Sequence, residues 1–497
     1  MRASLLVLTV LAGPALADDA PLSAIPWLSD SLSAPAPRTD EPAATPLTDT
    51  DVTVMALGET RRDAVGLLSV GLTGLPRDTF AGSDPARLAR LIADQPADAL
   101  PAMQDLVTML LLAELDPPRA ATDPDTLFFA RIDALLRLGA LDQAQALLER
   151  AGATDRAAFR RWWDTSLLSG NDVRACDAMT ANPGVAPTLP ARIFCLTRGG
   201  DWAAAALTLD TGRAIGLIDP QEEELLGRFL DPELYEGEPP PVPPRPLTPL
   251  AFRLLDGIGE TPSTRDLPLA FAAADLRPTT GWKAQIEAAE RLVRARSLDP
   301  NRLLALYTEN RPAASGGVWD RARAIQRLDA ALLGGDPQAV ADALPGAWTR
   351  MRDAGLGPAF AQLYGAALAR MDLPPASGAL ALRIGLLSPD YDRVARDAEP
   401  ALARDAFAVA IARGDDLLPP AGPLPQAIAD GMSADAPANL TRLATDGRLG
   451  EALLEAALML TEGAEADPQD IVDALAFLRS VGMIDVARRT ALQLLLA

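Results

Sequence analysis

Apolar residues recur along this chain at intervals of three and four, the spacing that lines one face of an α-helix. Leu135, Leu136 and Leu138, followed by Ala144, Leu147 and Leu148, form one such stripe. Ile286, Ala289, Leu292 and Val293 form another. Ala and Leu dominate these stretches, while β-branched and aromatic residues are sparse, which favours helix over strand. Met103 to Leu115 is the greasiest segment and reads as a buried core helix. Gly, Pro or Asp-Pro interrupts the pattern about every ten to twenty residues, the punctuation of short antiparallel helices. Asp299-Pro300, Asp336-Pro337 and Asp467-Pro468 are expected helix starts, with Asp as cap and Pro in the first turn. Only Val52, Val54 and Ala56 alternate in the manner of a short strand. The pattern predicts an all-α fold.

One local motif recurs: Leu, Gly four residues on, a large apolar residue two further, and Ala five beyond the Gly. It occurs at Leu135-Gly139-Leu141-Ala144 and Leu196-Gly200-Trp202-Ala205. It returns at Leu443-Gly447-Leu449-Ala452 and Leu478-Gly482-Ile484-Ala487, with a weaker copy at Gly170 and Ala175. The glycines lie 31 and 30 residues apart in the first half and 35 apart near the C-terminus. Gly lets the chain leave a helix in a left-handed conformation. The apolar residue is expected to seal the turn, and Ala lets the second helix approach the first closely. No convincing copy falls between residues 250 and 430.

In period and turn signature these copies resemble the tetratricopeptide repeat (TPR) family, and they cover about a third of the chain. The resemblance implies helical hairpins stacked as an α-solenoid. Where that family prefers a small residue, seven positions before the Gly, this chain has Ile132, Ile193, Leu440 and Leu475. The chain is therefore TPR-like rather than a member.

Two breaks divide the sequence. Residues 1–17 carry Arg2, an apolar run from Leu5 to Leu11 and Ala15-Leu16-Ala17, the parts of a cleavable secretory signal. Cleavage there is expected to leave Asp18 as the first residue of a periplasmic protein. The apolar run is too short to span a bilayer core of ~30 Å. Residues 18–50 are too poor in apolar side chains to offset their ordering entropy and read as a disordered leader. Residues 236–249, EGEPPPVPPRPLTP, read as a stiff Pro-rich linker between an N-terminal helical-repeat domain (51–235) and a C-terminal helical domain (250–497).

Composition narrows the chemistry. The net charge is −22, which opposes binding to nucleic acid or to anionic lipid. No later stretch is long and apolar enough to predict membrane insertion after signal cleavage. The chain has no histidine, so the commonest general base and metal ligand is absent. Neither a cofactor nor a metal site is predicted. Lys283 is the only lysine, so the positive charge is almost entirely arginine, a bias attributable to codon usage. The two cysteines, Cys176 and Cys195, are expected to form a disulfide. The repeat register places the first on the second helix of one hairpin and the other on the first helix of the next.

Three features are candidates for function. Arg311 to Arg321, RPAASGGVWDR, forms a possible binding loop with Ser315, Gly316, Gly317 and Trp319 at its tip. No Gly-Lys-Ser/Thr follows the glycines, so it is no phosphate loop. Trp162-Trp163 is expected to pack one ring in the core and one over a neighbour, with a sugar-stacking platform as the sharper alternative. Glu222, Glu223 and Glu224 read as a solvated helix start. No catalytic constellation emerges, and no Glu-Ser motif of the lytic transglycosylase type is present. The expected function is a non-enzymatic periplasmic scaffold that binds another cell-envelope protein, in envelope assembly or as a flagellar-motor accessory. The alternative is a secreted helical-toroid glycoside hydrolase using paired carboxylates.

Overall fold

The computed structural model describes residues 61–119 and 125–496. The signal segment, the leader and the strand expected at Val52–Ala56 lie outside the described residues. Within them the fold is all-α. Helices follow one another as antiparallel hairpins, and a single isolated bridge between Leu68 and Ala113 stands in place of any sheet.

Three runs of helices make up the chain. The first extends from Pro85–Ala93 to Pro249–Gly257, the second from Trp282–Arg294 to Pro375–Leu386, and the third from Tyr391–Arg396 to Ile484–Leu496. The first and third runs share one apolar core, which includes Leu75, Phe128, Trp163, Phe252, Phe407 and Phe477. The second run has its own core around Ile286, Tyr307, Leu344 and Phe360. The Pro-rich segment 236–249 lies within the first run. Leu247 is buried, the Glu238 carboxylate accepts from Arg228, and the core does not divide there.

The two ends of the described chain meet. Helix Ile484–Leu496 packs on Pro101–Leu112, and Leu449–Met459 packs on Pro85–Ala93. Polar contacts fix this seam. Arg87 donates to Glu455 at 2.8 Å, the Ala102 amide donates to Gln493 at 2.9 Å, and the Gly450 amide donates to Thr79 O at 2.9 Å. Asp105 on the Pro101–Leu112 helix receives Arg489 from the third run at 2.8 Å, and also Arg296 from the second. One carboxylate thus joins all three runs.

The helix ends follow the sequence closely. Asp299, Asp336 and Asp467 each accept a hydrogen bond from the amide two residues on, with Pro in the first turn. Gly139, Gly200, Gly447 and Gly482 have φ between 73° and 84° and join the two helices of a hairpin. In each case the residue after the Gly donates its amide to the carbonyl of the motif Leu: 140 to 135, 201 to 196, 448 to 443 and 483 to 478. That is a Schellman-type closure. The motif alanines Ala144, Ala205, Ala452 and Ala487 are all fully buried, as is Ala175.

Two expectations need correction. The large apolar residue does not seal every turn, because Trp202 is 52% and Ile484 40% exposed. The backbone bonds close the turn without help from that side chain. The middle of the chain also carries the same closure, with amide 260 on carbonyl 255, 297 on 292, 356 on 351 and 415 on 410. The motif is invisible there because its side chains differ. Arg296 (φ 57°) even replaces the glycine at one of these turns.

A second device acts at helix C-termini, where carbonyls lack intrahelical partners. Arginines from neighbouring elements donate to them. Fully buried Arg131 serves Leu111 O and Ala113 O at the end of Pro101–Leu112, as well as Asp63 O and Val65 O. Arg137 serves Ile92 O and Gln95 O, Arg413 serves Ala395 O and Ala398 O, and Arg479 serves Gly431 O and Ala434 O. The planar, multi-donor guanidinium suits this task and the lysine ammonium does not. The arginine bias, attributed above to codon usage, has a structural role.

Cys176 on helix Asp172–Ala181 and Cys195 on helix Leu189–Arg198 are bonded, with Cα atoms 5.1 Å apart. The bridge staples successive hairpins, as the register implied. The cysteines lie 19 residues apart, and closing a loop of that size stabilises by about 3 kcal/mol in the chain-entropy model. Reduction, or the C176A/C195A double variant, is expected to lower the denaturation midpoint accordingly. An unchanged midpoint in reducing buffer would refute the role.

Asp164, wholly buried on helix Arg156–Ser169, has a pKa pushed up to about 6 by burial, against the opposing pull of Arg160. Burial does the same to Asp63, also to about 6. A carboxyl whose folded pKa exceeds its unfolded value near 3.8 binds protons more tightly when folded. Its contribution therefore favours folding as pH drops through 6 towards 4. We expect the D164N variant to remove part of that rise. Thermal scans from pH 7.5 to 5 test this, and parallel curves for variant and wild type would contradict it.

Candidate functional site

The sequence-predicted loop leads to a polar cavity. Ser315, Gly316 and Gly317 are exposed in the connection between helices Pro300–Glu309 and Val318–Gly334. Trp319 is not part of that loop. It lies in the first turn of the following helix, half-buried, its ring 4.9 Å from that of Trp282. Trp282 in turn donates to Leu306 O at 2.8 Å. Gly317 and Val318 form one wall of a cavity of 460 Å³, with segment 263–265 and helix Trp282–Arg294 around the rest.

Glu290 forms the floor. It is buried and receives Arg321 through two bonds of 2.7 and 2.6 Å and the Tyr307 hydroxyl at 2.7 Å. Burial, reinforced by the Glu290 charge, pushes the Tyr307 hydroxyl well above its ordinary value. Burial works against the Arg321 charge, but the hydrogen bonds it donates to Glu290, with that carboxylate's charge, outweigh burial and raise its pKa. Asp275 stands on another wall and accepts from the Thr264 hydroxyl. Burial raises its pKa, while Thr264 and nearby arginines pull the other way. Arg291 is spent on the carbonyls of Thr264 and Leu267 at 2.7 and 2.8 Å. Glu287 holds Arg265 at 3.3 Å and Lys283 at 3.6 Å.

The lining has no aromatic ring on which a sugar could stack. Both Glu290 oxygens are engaged by donors, so this carboxylate offers no ready partner to a second one across a scissile bond. Among the described residues, no group of three His, Cys, Asp or Glu side chains is placed to hold a metal ion. No helix among them is long and apolar enough to cross a membrane.

The other sequence candidates lie elsewhere. Trp162 and Trp163 are both buried, Trp162 edge-on to Phe159 and Trp163 edge-on to Phe194, which removes the stacking-platform reading. Glu223 and Glu224 pair with Arg213 and Arg228. Glu222 departs from the solvated reading: it is half-buried near Arg160, and burial raises its pKa.

Glu290, Arg321, Tyr307 and Asp275 were not singled out by the sequence. One signal was available. Ile286, Ala289, Glu290 and Val293 occupy one helical stripe, so a carboxylate interrupts an apolar face, and such a group needs buried partners. Comparison with protein-family models, with curated proteins and with solved structures gave no match to this chain.

Removing one member of a buried ion pair costs about 3–5 kcal/mol, because the remaining charge stays buried. E290A is therefore expected to lower the unfolding midpoint far more than E287A, whose pairs are more exposed. Equal effects in parallel denaturation curves would contradict the assignment of Glu290 as the floor of the site.

Proposed function

We propose that this protein is a non-enzymatic scaffold of the periplasm whose stacked, TPR-like hairpins bind another cell-envelope protein. One observation carries the reading. Helix Trp202–Ala214 and the turn after it expose Trp202 (52%), Leu207 (69%), Ile215 (62%) and Leu217 (64%). Large apolar side chains gathered in so short a stretch mark interaction surfaces on soluble domains. Asp201, Asp210 and Asp219 lie along the same stretch and are exposed, on a chain of charge −22. A second copy would bring acid against acid, so the partner that fits carries an apolar segment flanked by Lys or Arg. The Cys176–Cys195 bridge is compatible with export.

The glycoside hydrolase alternative draws support from one feature, the meeting of the described chain's ends. The cavity does not add to it, since Glu290 is engaged and the lining is free of aromatic side chains.

The test is capture of envelope proteins on wild-type protein and on the W202E/L207E variant. Proteins retained by the first and lost at least tenfold with the second are the expected result. Identical retention by both would sink the proposal. So would turnover of peptidoglycan or another glycan that a carboxylate substitution abolishes.

A further inference from the structure

The charges lining the Glu290 cavity do not balance. Arg321 is taken by Glu290, Arg265 by Glu287, and Arg291 by two backbone carbonyls; burial and then repulsion from Arg294 lower the Arg291 pKa, with Asp275 offsetting part of this. Arg294 is left over. Its Nε donates to Glu290 O at 3.1 Å, and its stem lies against Gly355, where an added Cβ would sit 3.1 Å from Cδ. Among the described residues, neither Nη atom of Arg294 has a hydrogen-bond or ion-pair partner. Arg294 is exposed and lines this cavity as well as the neighbouring one that Gly355 lines.

We propose that this cavity is a binding site for a single carboxylate group, with Arg294 as its cationic partner. A guanidinium fork is matched to the two oxygens of a carboxylate. Only one positive charge is free, and Asp275 and Glu287 stand on the same lining, so a dianion would meet repulsion. A cationic ligand would meet the Arg291 and Arg294 charges, with Glu287 and Glu290 already ion-paired and Asp275 bonded to the Thr264 hydroxyl. The volume of 460 Å³ falls in the range of small-ligand sites, about 300–1,000 Å³, and leaves room for atoms beyond the carboxylate. Gly317 on the rim is exposed, and an added Cβ there would meet nothing within 4 Å. The carboxylate can belong to a peptide C-terminus or to a small organic acid. The chemistry at Arg294 is the same.

Calorimetric titration of the full chain with acetyl-trialanine, its C-terminal amide and sodium acetate tests the site. Saturable binding of the free acid, no binding of the amide and competition by acetate are expected. R294Q should weaken the free acid at least tenfold, with unchanged circular dichroism. R350Q should leave it unchanged, because Arg350 donates only to Gly346 O of its own helix. Tighter binding of the peptide than of acetate supports a chain end as the natural source, and equal binding supports a small acid. Equal affinity for acid and amide, no binding of any probe, or an R294Q variant indistinguishable from wild type overturns the proposal. These residues are separate from the Trp202–Leu207 surface, so failure of either test leaves the other standing.

Discussion

Every α-helix ends with four carbonyls that its own amides cannot reach, and a protein built from short helices meets this problem at every turn. The constraint governs this fold more than any single contact. A chain whose helices mostly run nine to seventeen residues has a large share of its backbone at helix ends. Those ends lie at hairpin junctions, where the next helix must pack. Two solutions operate here. The left-handed closure returns the chain and satisfies one or two carbonyls. A guanidinium reaching in from a neighbouring helix satisfies others. The second also ties elements together, since Arg131 spans the end of Pro101–Leu112 and the segment that begins the described chain.

This explains which parts of the fold were legible in the sequence. Helix starts at Asp299, Asp336 and Asp467 depend on residues within one turn, and local sequence revealed them. The glycine closures were equally local, and with their buried alanines they placed Cys176 beside Cys195. Arg296 marks the limit of that reading. It takes the left-handed conformation without being glycine and is held there by its pair with Asp105, 191 residues away. Asp299-Pro300 announces a new helix nearby, but no residue type there announces the left-handed conformation of Arg296. The meeting of the described chain's ends was hidden for the same reason. Asp105 and Arg489 lie 384 residues apart, and neither position is unusual for a helix surface.

The expectation for Trp202 shows where a sound local rule misleads. A large apolar residue after the glycine was expected to cover the turn. At Leu141 it is buried, but Trp202 in the same register stands in solvent. The turns at Gly139 and Gly200 have the same backbone bonds, so geometry at the turn cannot account for the difference. What differs is the neighbour. Helix Leu141–Ala151 is followed by Arg156–Ser169 packed against it, and the 3-10 stretch Leu269–Leu276 also reaches this region. Both helices pack chiefly on the helices that flank them in sequence, but Leu269 lies against the turn at Gly139, whereas an added Cβ at Gly200 would meet nothing within 4 Å. The exposed tryptophan is thus a property of the architecture and not of the turn.

The acidic balance of the chain sharpens the same logic. With 67 acidic and 45 basic side chains, most arginines are drawn into ion pairs or onto carbonyls, and an unspent guanidinium stands out against that background. Arg160, Arg161, Arg228, Arg253 and Arg383 each have an acidic partner. Arg131, Arg137, Arg413 and Arg479 are occupied by carbonyls. Exposure alone would not set Arg294 apart, since an exposed arginine in water needs no partner. Its Nε is bonded to its own helix, its Nη atoms have no partner among the described residues, and it lines a cavity whose other arginines are engaged. Holding a long side chain in one place costs rotamer entropy, on the order of 2 kcal/mol for arginine when fully fixed. At Arg294 the Nε bond to its own helix restrains part of the side chain and leaves both Nη donors to a carboxylate, which separates this arginine from those without any bond.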